Sequence, residues 1–259
     1  MDNKETNEER IPYLEAKGIT HDYNRNIRAL EKVDFKAYTN EIVGLIGDNG
    51  AGKSTLVKII SGVINPTYGE IYVKGEKANF KSSKDAMNKG IETIAQDMNL
   101  IETMDIMRNI YCGREECGNF GLLKLNEMRK HAMKILEEKV TIEGIRSPKQ
   151  IVANLSGGQK QSVAIARAMF FKKKMLLLDE PTSALSVRET HAFLNHLLEL
   201  KKQGMSLVLV THNIFHAYKV ADRFAVLRHG KKIADVKKED TTIDDLTELI
   251  VGSKLSLDA

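Results

Sequence analysis

An α/β fold is expected of this chain from three features of its 259-residue sequence. The apolar run Ile42-Val43-Gly44-Leu45-Ile46 passes straight into a glycine-rich segment and then into residues with helical spacing. From Gly157 to Val226, helix-like and buried-strand-like stretches alternate, as a largely parallel sheet covered by helices requires. Between these parts, residues 97–152 have another texture, rich in methionine (Met98, Met104, Met107, Met128, Met133) and with helical spacing over 126–138.

In chain order, residues 1–12 read as a polar N-terminal extension. Alternating and short apolar stretches from Tyr13 to Tyr38, punctuated by Gly18, predict an antiparallel β edge. Ile42–Ile46 is a buried strand, Lys53–Ile60 the helix that follows it, and Gly62 its stop. Ile71-Tyr72-Val73 and Ile91-Glu92-Thr93-Ile94 predict further strands, and a helix is expected over Gln159–Phe170. Lys172-Lys173-Lys174 reads as a solvated loop before the strand Met175-Leu176-Leu177-Leu178. Leu207-Val208-Leu209-Val210 is another buried strand, and no internal repeat or low-complexity tract interrupts the pattern. The methionine-rich stretch is read as a helical subdomain inserted into the core, with methionine filling irregular gaps.

Apolar residues make up 42% of the chain, enough for a sizeable core, and charged residues 29%. The net charge of +4 is small and dispersed, so no nucleic-acid partner is expected. No apolar run approaches the roughly 20 residues needed to cross a bilayer. Met1 to Arg10 is polar, without a signal core. A cytoplasmic chain is therefore expected, with any membrane role exercised through a partner. Cys112 and Cys117 match no common zinc or redox spacing and read as free thiols.

Chemistry is concentrated in a few segments. Gly47-Asp48-Asn49-Gly50-Ala51-Gly52-Lys53-Ser54-Thr55 matches the phosphate-binding pattern G-x-x-x-x-G-K-S/T, and it follows a strand and opens a helix. Glycines there let backbone N–H groups approach anionic oxygens, and the helix adds the positive end of its dipole. Lys53 is expected to reach the β- and γ-phosphates of a nucleotide and Ser54 to ligate Mg²⁺. Met175 to Pro181 is a buried strand ending in Asp179 and Glu180. Asp179 suits the Mg²⁺ shell, Glu180 suits the general base that polarises a water, and Pro181 turns the chain away. Leu155-Ser156-Gly157-Gly158-Gln159 opens a helix, so its N–H groups make a second anion site.

Leu-Ser-Gly-Gly-Gln after a phosphate loop resembles the signature of ABC-type ATPases, and the resemblance covers residues 13–250. It implies a P-loop nucleotide-binding core (13–96 and 172–250) with an antiparallel β subdomain and an inserted α-helical signature subdomain (about 97–171). It further implies that Gln96 contacts Mg²⁺ or water, that His212 senses the γ-phosphate and that Thr55 contacts the α-phosphate. Tyr23 lies near the family's adenine-stacking aromatic, with Tyr13 as the alternative. Ser156, Gly157, Gly158 and Gln159 would complete the site of a second copy, so that two ATP molecules are sandwiched in a homodimer. Many relatives read Ser-Ala-Leu-Asp where this chain has Ser183-Ala184-Leu185-Ser186, which puts a cross-subunit carboxylate contact there in doubt.

The wording of the phosphate loop, with Gln96-Asp97 and then Asn109-Ile110-Tyr111-Cys112-Gly113-Arg114-Glu115, is similar to the monosaccharide-importer branch (ribose-, fructose- or xylose-type). That implies ATP and Mg²⁺ as cofactors and membrane permease subunits as partners. It also implies an external solute-binding protein and a place on the cytoplasmic face of the inner membrane. A soluble ABC protein acting on ribosomes or DNA would usually carry tandem cassettes or a long coiled-coil insert. A monomeric P-loop kinase would leave Leu155 to Gln159 and Glu180 unexplained.

Overall fold

The computed structural model describes residues 11–24, 27–95, 98–137, 145–171, 173–183 and 185–252. Most of the expected polar extension lies outside them, as does Gln96. Strands β1 (Leu14–Asn24) and β2 (Ile27–Ala37) form an antiparallel pair, and β3 (Ile42–Ile46) leads to helix α1 (Lys53–Ile60). β4 (Tyr68–Val73), β5 (Glu76–Ala78), α2 (Ser83–Asn88) and β6 (Ile91–Ile94) follow. A helical stretch contains α3 (Ile106–Tyr111), α4 (Leu125–Ile135) and α5 (Gly157–Phe170). The chain then alternates through β7 (Met175–Asp179), α6 (Val187–Lys202), β8 (Ser206–Thr211), α7 (Ile214–Val220) and β9 (Arg223–Arg228). It closes with β10 (Lys231–Lys237) and α8 (Ile243–Val251).

Two sheets result. One is antiparallel, four-stranded, in the order β2-β1-β4-β5; the other has six strands in the order β10-β9-β3-β8-β7-β6. In the second, β9, β3, β8, β7 and β6 run parallel and β10 turns back antiparallel. Strand periodicity explains the layering, because successive side chains point to opposite faces. Val43, Leu45, Met175, Leu177, Val208, Val210, Ala225 and Leu227 face a core shared with α1 and the antiparallel sheet. Their neighbours Ile42, Ile46, Leu176, Leu178, Leu207, Leu209, Phe224 and Val226 face a second core with α5, α6, α7 and α8. These strands are buried on both faces, which is why they read as unbroken apolar runs. At Gly44 a Cβ would lie 3.0 Å from the Phe224 ring of β9 and 3.4 Å from Ala217 of α7, so the smallest residue stands where both crowd the strand.

The helices start where their sequences provide caps. Ser186 accepts from the Glu189 N–H and closes a capping box on α6, which buries Thr190, Phe193, Leu194, Leu197 and Leu200 along one stripe. α5 begins at Gly157 rather than at Gln159. Ser156 and Gln159 form a reciprocal capping box that draws both glycines into the first turn. α5 is buried on two sides, since Ala164, Ile165 and Ala168 face the sheet while Val163 and Ala166 face α3 and α4. There they join Ile106, Met107, Ile110, Tyr111, Met128 and Ala132 in a third apolar cluster. α4 spans Leu125–Ile135, overlapping the expected 126–138, whose last residue lies outside the described residues.

In the lysine run Lys174 is exposed as expected and Lys172 lies outside the described residues, but Lys173 departs from a solvated loop. Lys173 is half-buried and donates to the Met87 carbonyl at 2.5 Å, and burial lowers its pKa. Cys112 and Cys117 are both exposed and free. Among the described residues no helix is long and apolar enough to cross a membrane.

Candidate nucleotide site

Parallel pairing brings three chemically loaded strand ends together. Ile46 of β3 is level with Thr211 of β8, and Val210 of β8 is level with Asp179 of β7. The phosphate loop, the acidic pair and His212 therefore emerge side by side at the carboxyl edge of one sheet, where open α/β folds bind ligands.

The loop after β3 takes its shape from glycines with positive φ: 151° at Gly47, 80° at Gly50 and 102° at Gly52. Two of them also sit against backbone. A Cβ at Gly47 would lie 2.1 Å from the Leu227 carbonyl oxygen, and one at Gly52 would lie 2.8 Å from the Ala29 carbonyl oxygen. Asn49 and Gly50 occupy the exposed crest. Lys53 is the first residue of α1, and its ammonium donates back to the carbonyls of Gly47 (2.7 Å) and Asp48 (3.0 Å). Burial pushes the Lys53 pKa down, while Glu180, Asp179 and Asp48 pull it up. The cation is thus held inside its own loop, surrounded by negative charge.

Ser54 donates to Asp179 Oδ1 at 3.3 Å. Burial raises the Asp179 pKa, opposed by the Ser54 hydrogen bond. A hydroxyl and a half-buried carboxylate facing each other form an oxygen-only donor pair that suits a hard cation such as Mg²⁺, which would relieve the partly desolvated charge. Among the described residues no three His, Cys, Asp or Glu side chains form a metal cage.

Glu180 adopts φ 48°, a left-handed conformation that is unusual for a residue with a Cβ. Its neighbours hold it there. The Glu180 N–H donates to the Val210 carbonyl at 2.9 Å. Thr211 donates its hydroxyl to Oε2 at 3.2 Å, and the His212 N–H donates to Oε1 at 2.9 Å. His212 Nδ1 lies 2.9 Å from the same Oε1, and against a carboxylate that nitrogen carries the proton. The general-base candidate and the γ-phosphate-sensor candidate are therefore in direct contact.

Tyr13 and Tyr23 are separated clearly. Tyr13 is buried in the first core and donates to the Lys89 carbonyl at 2.9 Å, so its ring has no open face. Tyr23 is 47% exposed, and its hydroxyl lies 3.2 Å from Thr55 Oγ1 at the start of α1. Ser156, Gly157, Gly158 and Gln159 form the first turn of α5, with Ser156 N bonded to Gln159 Oε1 at 3.0 Å.

Several contributors went unnoticed in the sequence. Asn213 caps α7, binds the Thr211 hydroxyl through its N–H (3.0 Å), and lies 3.3 Å from His216 Nε2. His216 Nδ1 in turn lies 3.0 Å from Thr182 Oγ1. This chain ties the loop after β7 to the loop after β8. Glu189 is the other omission: it reaches from α6 to the Gly158 N–H at 3.2 Å. The only available signal was the spacing Ser186-x-x-Glu189, which reads as a helix start and nothing more.

The chain is similar to known proteins over most of its length. The family model described as "ABC transporter" matches residues 30–183. The xylose/arabinose import ATP-binding protein XylG of Sulfolobus acidocaldarius is 44% identical over 230 residues, covering 88% of this chain and 90% of its own length. The fructose import ATP-binding protein FrcA of Rhizobium meliloti is 39% identical over 251 residues, covering 94% and 95%. A dimeric post-hydrolysis structure of the ATP-binding cassette MJ0796 bound to ADP and Pi aligns with a TM-score of 0.74 at 29% identity, covering 87% of this chain and 98% of that one. With the family model matching more than half of the chain and relatives matching most of it, this chain belongs to the ABC transporter family.

Proposed function

We propose that this chain is the ATP-hydrolysing subunit of an importer for a monosaccharide or a similar small polar solute. The carrying observation is the convergence of Lys53, Ser54, Asp179, Glu180 and His212 at one sheet edge, with an unrelated anion site at the N-terminus of α5. The sugar class is drawn from the relatives, which are import ATP-binding proteins for xylose/arabinose and fructose.

In this reading the N–H groups of Gly47 to Thr55 cradle the phosphates, with Asn49 at the crest, and Lys53 leaves its own carbonyls for the β- and γ-oxygens. Thr55 meets the α-phosphate, and Tyr23 offers its exposed ring to adenine. Ser54 and Asp179 would hold Mg²⁺, with Gln96 as a further donor, and the bound ion would supply charge neutralisation at the phosphates. Glu180 takes the proton of the attacking water, aimed by the donors from Thr211 and His212. His212 then lies within reach of the γ-phosphate it would sense.

Residues 97–171 act as the helical signature subdomain, with the nucleotide core in 13–96 and 172–250. Ser156, Gly157, Gly158 and Gln159 face the γ-phosphate held by a second copy, in an isologous two-fold pairing. The dimer docks under two permease subunits on the cytoplasmic face of the inner membrane, supplied by an external binding protein. ATP-driven closure alternates the permease between outward and inward states.

The deciding experiment isolates the tagged chain from detergent-solubilised membranes and measures ATP hydrolysis of the isolate. Co-isolation of a multi-spanning permease with sugar-stimulated hydrolysis is expected. Ribosomes or DNA-bound proteins as the sole companions would overturn the importer assignment.

A further inference from the structure

One carboxylate in this structure serves two helix N-termini. Glu189 Oε2 accepts from the Ser186 N–H (3.0 Å) and hydroxyl (2.8 Å), which caps α6. Glu189 Oε1 accepts from the Gly158 N–H at 3.2 Å, and the Ser156 side chain hydrogen-bonds the same carboxylate, which caps α5. The approach is close enough that a Cβ on Gly158 would stand 3.1 Å from Glu189 Oε1. An anion at a helix N-terminus is stabilised by free N–H donors and by the dipole, so this is a favourable resting contact.

We propose that Glu189 is an autoinhibitory occupant of the signature loop, an internal anion that must release Gly158 and Ser156 before the partner's γ-phosphate can dock. The proposal rests on the reading above, that these residues complete the second copy's site. An N–H donor satisfied by a carboxylate oxygen is not available to a phosphoryl oxygen, and two anions at one helix end repel. The lock is set by α6, whose first turn follows directly on the loop after the hydrolytic pair. Movement of that loop therefore pulls on the occupant. The nucleotide concentration needed for dimerisation is raised by this contact, which restrains ATP use while the subunits are apart.

The test uses the full-length chain with Glu180→Gln, so that dimers formed with Mg-ATP persist, and reads the dimer fraction by size-exclusion light scattering across ATP concentrations. Adding Glu189→Gln removes the charge and leaves one acceptor oxygen, which keeps the α6 cap on Ser186 while the amide NH2 replaces the oxygen that accepts from Gly158. The dimerisation midpoint is expected to fall about five-fold, from the loss of one charge–dipole competition per site. Glu189→Asp keeps the charge and the α6 cap but draws back from Gly158, and its midpoint is expected between the two. An unchanged or raised midpoint in Glu189→Gln overturns the proposal; should that variant fail to fold, Glu189→Asp decides by the same criterion. If Glu180→Gln alone binds a fluorescent ATP analogue yet never dimerises, the composite-site reading fails and Glu189 falls with it. A dimer with an unmoved midpoint removes Glu189 alone.

Discussion

Glu180 and Gly47 carry the most exacting demands on single residues. Glu180 is held in a left-handed conformation by its N–H bond to Val210 and by donors from Thr211 and His212. Glu180→Gln preserves the shape and the hydrogen-bonding oxygen but removes the base. It is expected to bind ATP normally while turnover falls by about 10²- to 10⁴-fold, or about 3–5 kcal/mol of barrier, in a steady-state phosphate-release assay. Gly47→Ala places a methyl 2.1 Å from a backbone oxygen that cannot swing aside. Loss of nucleotide binding and about 1–3 kcal/mol of destabilisation are expected by analogue titration and thermal melts. Gly50→Ala, whose Cβ meets nothing within 4 Å, isolates the conformational penalty of positive φ, about 1–2 kcal/mol. At this scale the sequence was highly legible for the phosphate loop, because a glycine pattern states a backbone requirement directly. It was mute on Thr211, Asn213, His216 and Thr182. Their partnership depends on two strand ends meeting, and no local spacing encodes that.

Among the elements, α5 and α6 are joined through Glu189 and the sheet is joined to the helical stretch through Arg114. Hydrogen bonds from Ser186, Ser156 and Gly158 hold the Glu189 carboxyl down at about 2. A carboxyl with a lowered folded-state pKa contributes stability above its unfolded value, and that stability is lost as pH falls through the folded value. The melting temperature of the parent protein is therefore expected to drop more steeply than that of Glu189→Gln between about pH 5 and pH 2, read by circular dichroism. Arg114 follows α3 and pairs with the buried Glu92 of β6 at 3.2 Å, while its guanidinium lies 4.4 Å from the centre of the Phe171 ring. Arg114→Ala removes the hydrogen-bonded partner of the buried Glu92 and leaves it only the charges of Arg167 and Lys173, so about 1–3 kcal/mol of stability is expected to be lost in denaturant titrations. Replacing the pair together, Arg114→Met with Glu92→Leu, is expected to recover much of it. Element types were readable because the strands are continuous apolar runs and the helices carry caps. The expected span of α5, Gln159–Phe170, starts two residues late, because the capping box between Ser156 and Gln159 draws both opening glycines into the first turn.

For the whole molecule, sheet order matters more than element identity. The sequence shows that β3 precedes the phosphate loop, but not that β8 and β9, far downstream, flank it on both sides. Nor does it show that the turn between β9 and β10 is bonded into the loop. Gly230 donates to the Ala51 carbonyl at 3.1 Å and accepts from the Glu31 N–H at 2.8 Å, so one residue stitches the phosphate loop to the antiparallel sheet. This has a bearing on synthesis. A nascent chain carries the loop early, yet the strands and the turn that brace it leave the ribosome last, and pairing over such long separations is slow to form. A ribosome-stalled chain ending before Arg223 is expected to retain no ATP analogue, whereas one with residues up to 252 clear of the exit tunnel binds it. Nucleotide capture would thus report that translation of the cassette is complete.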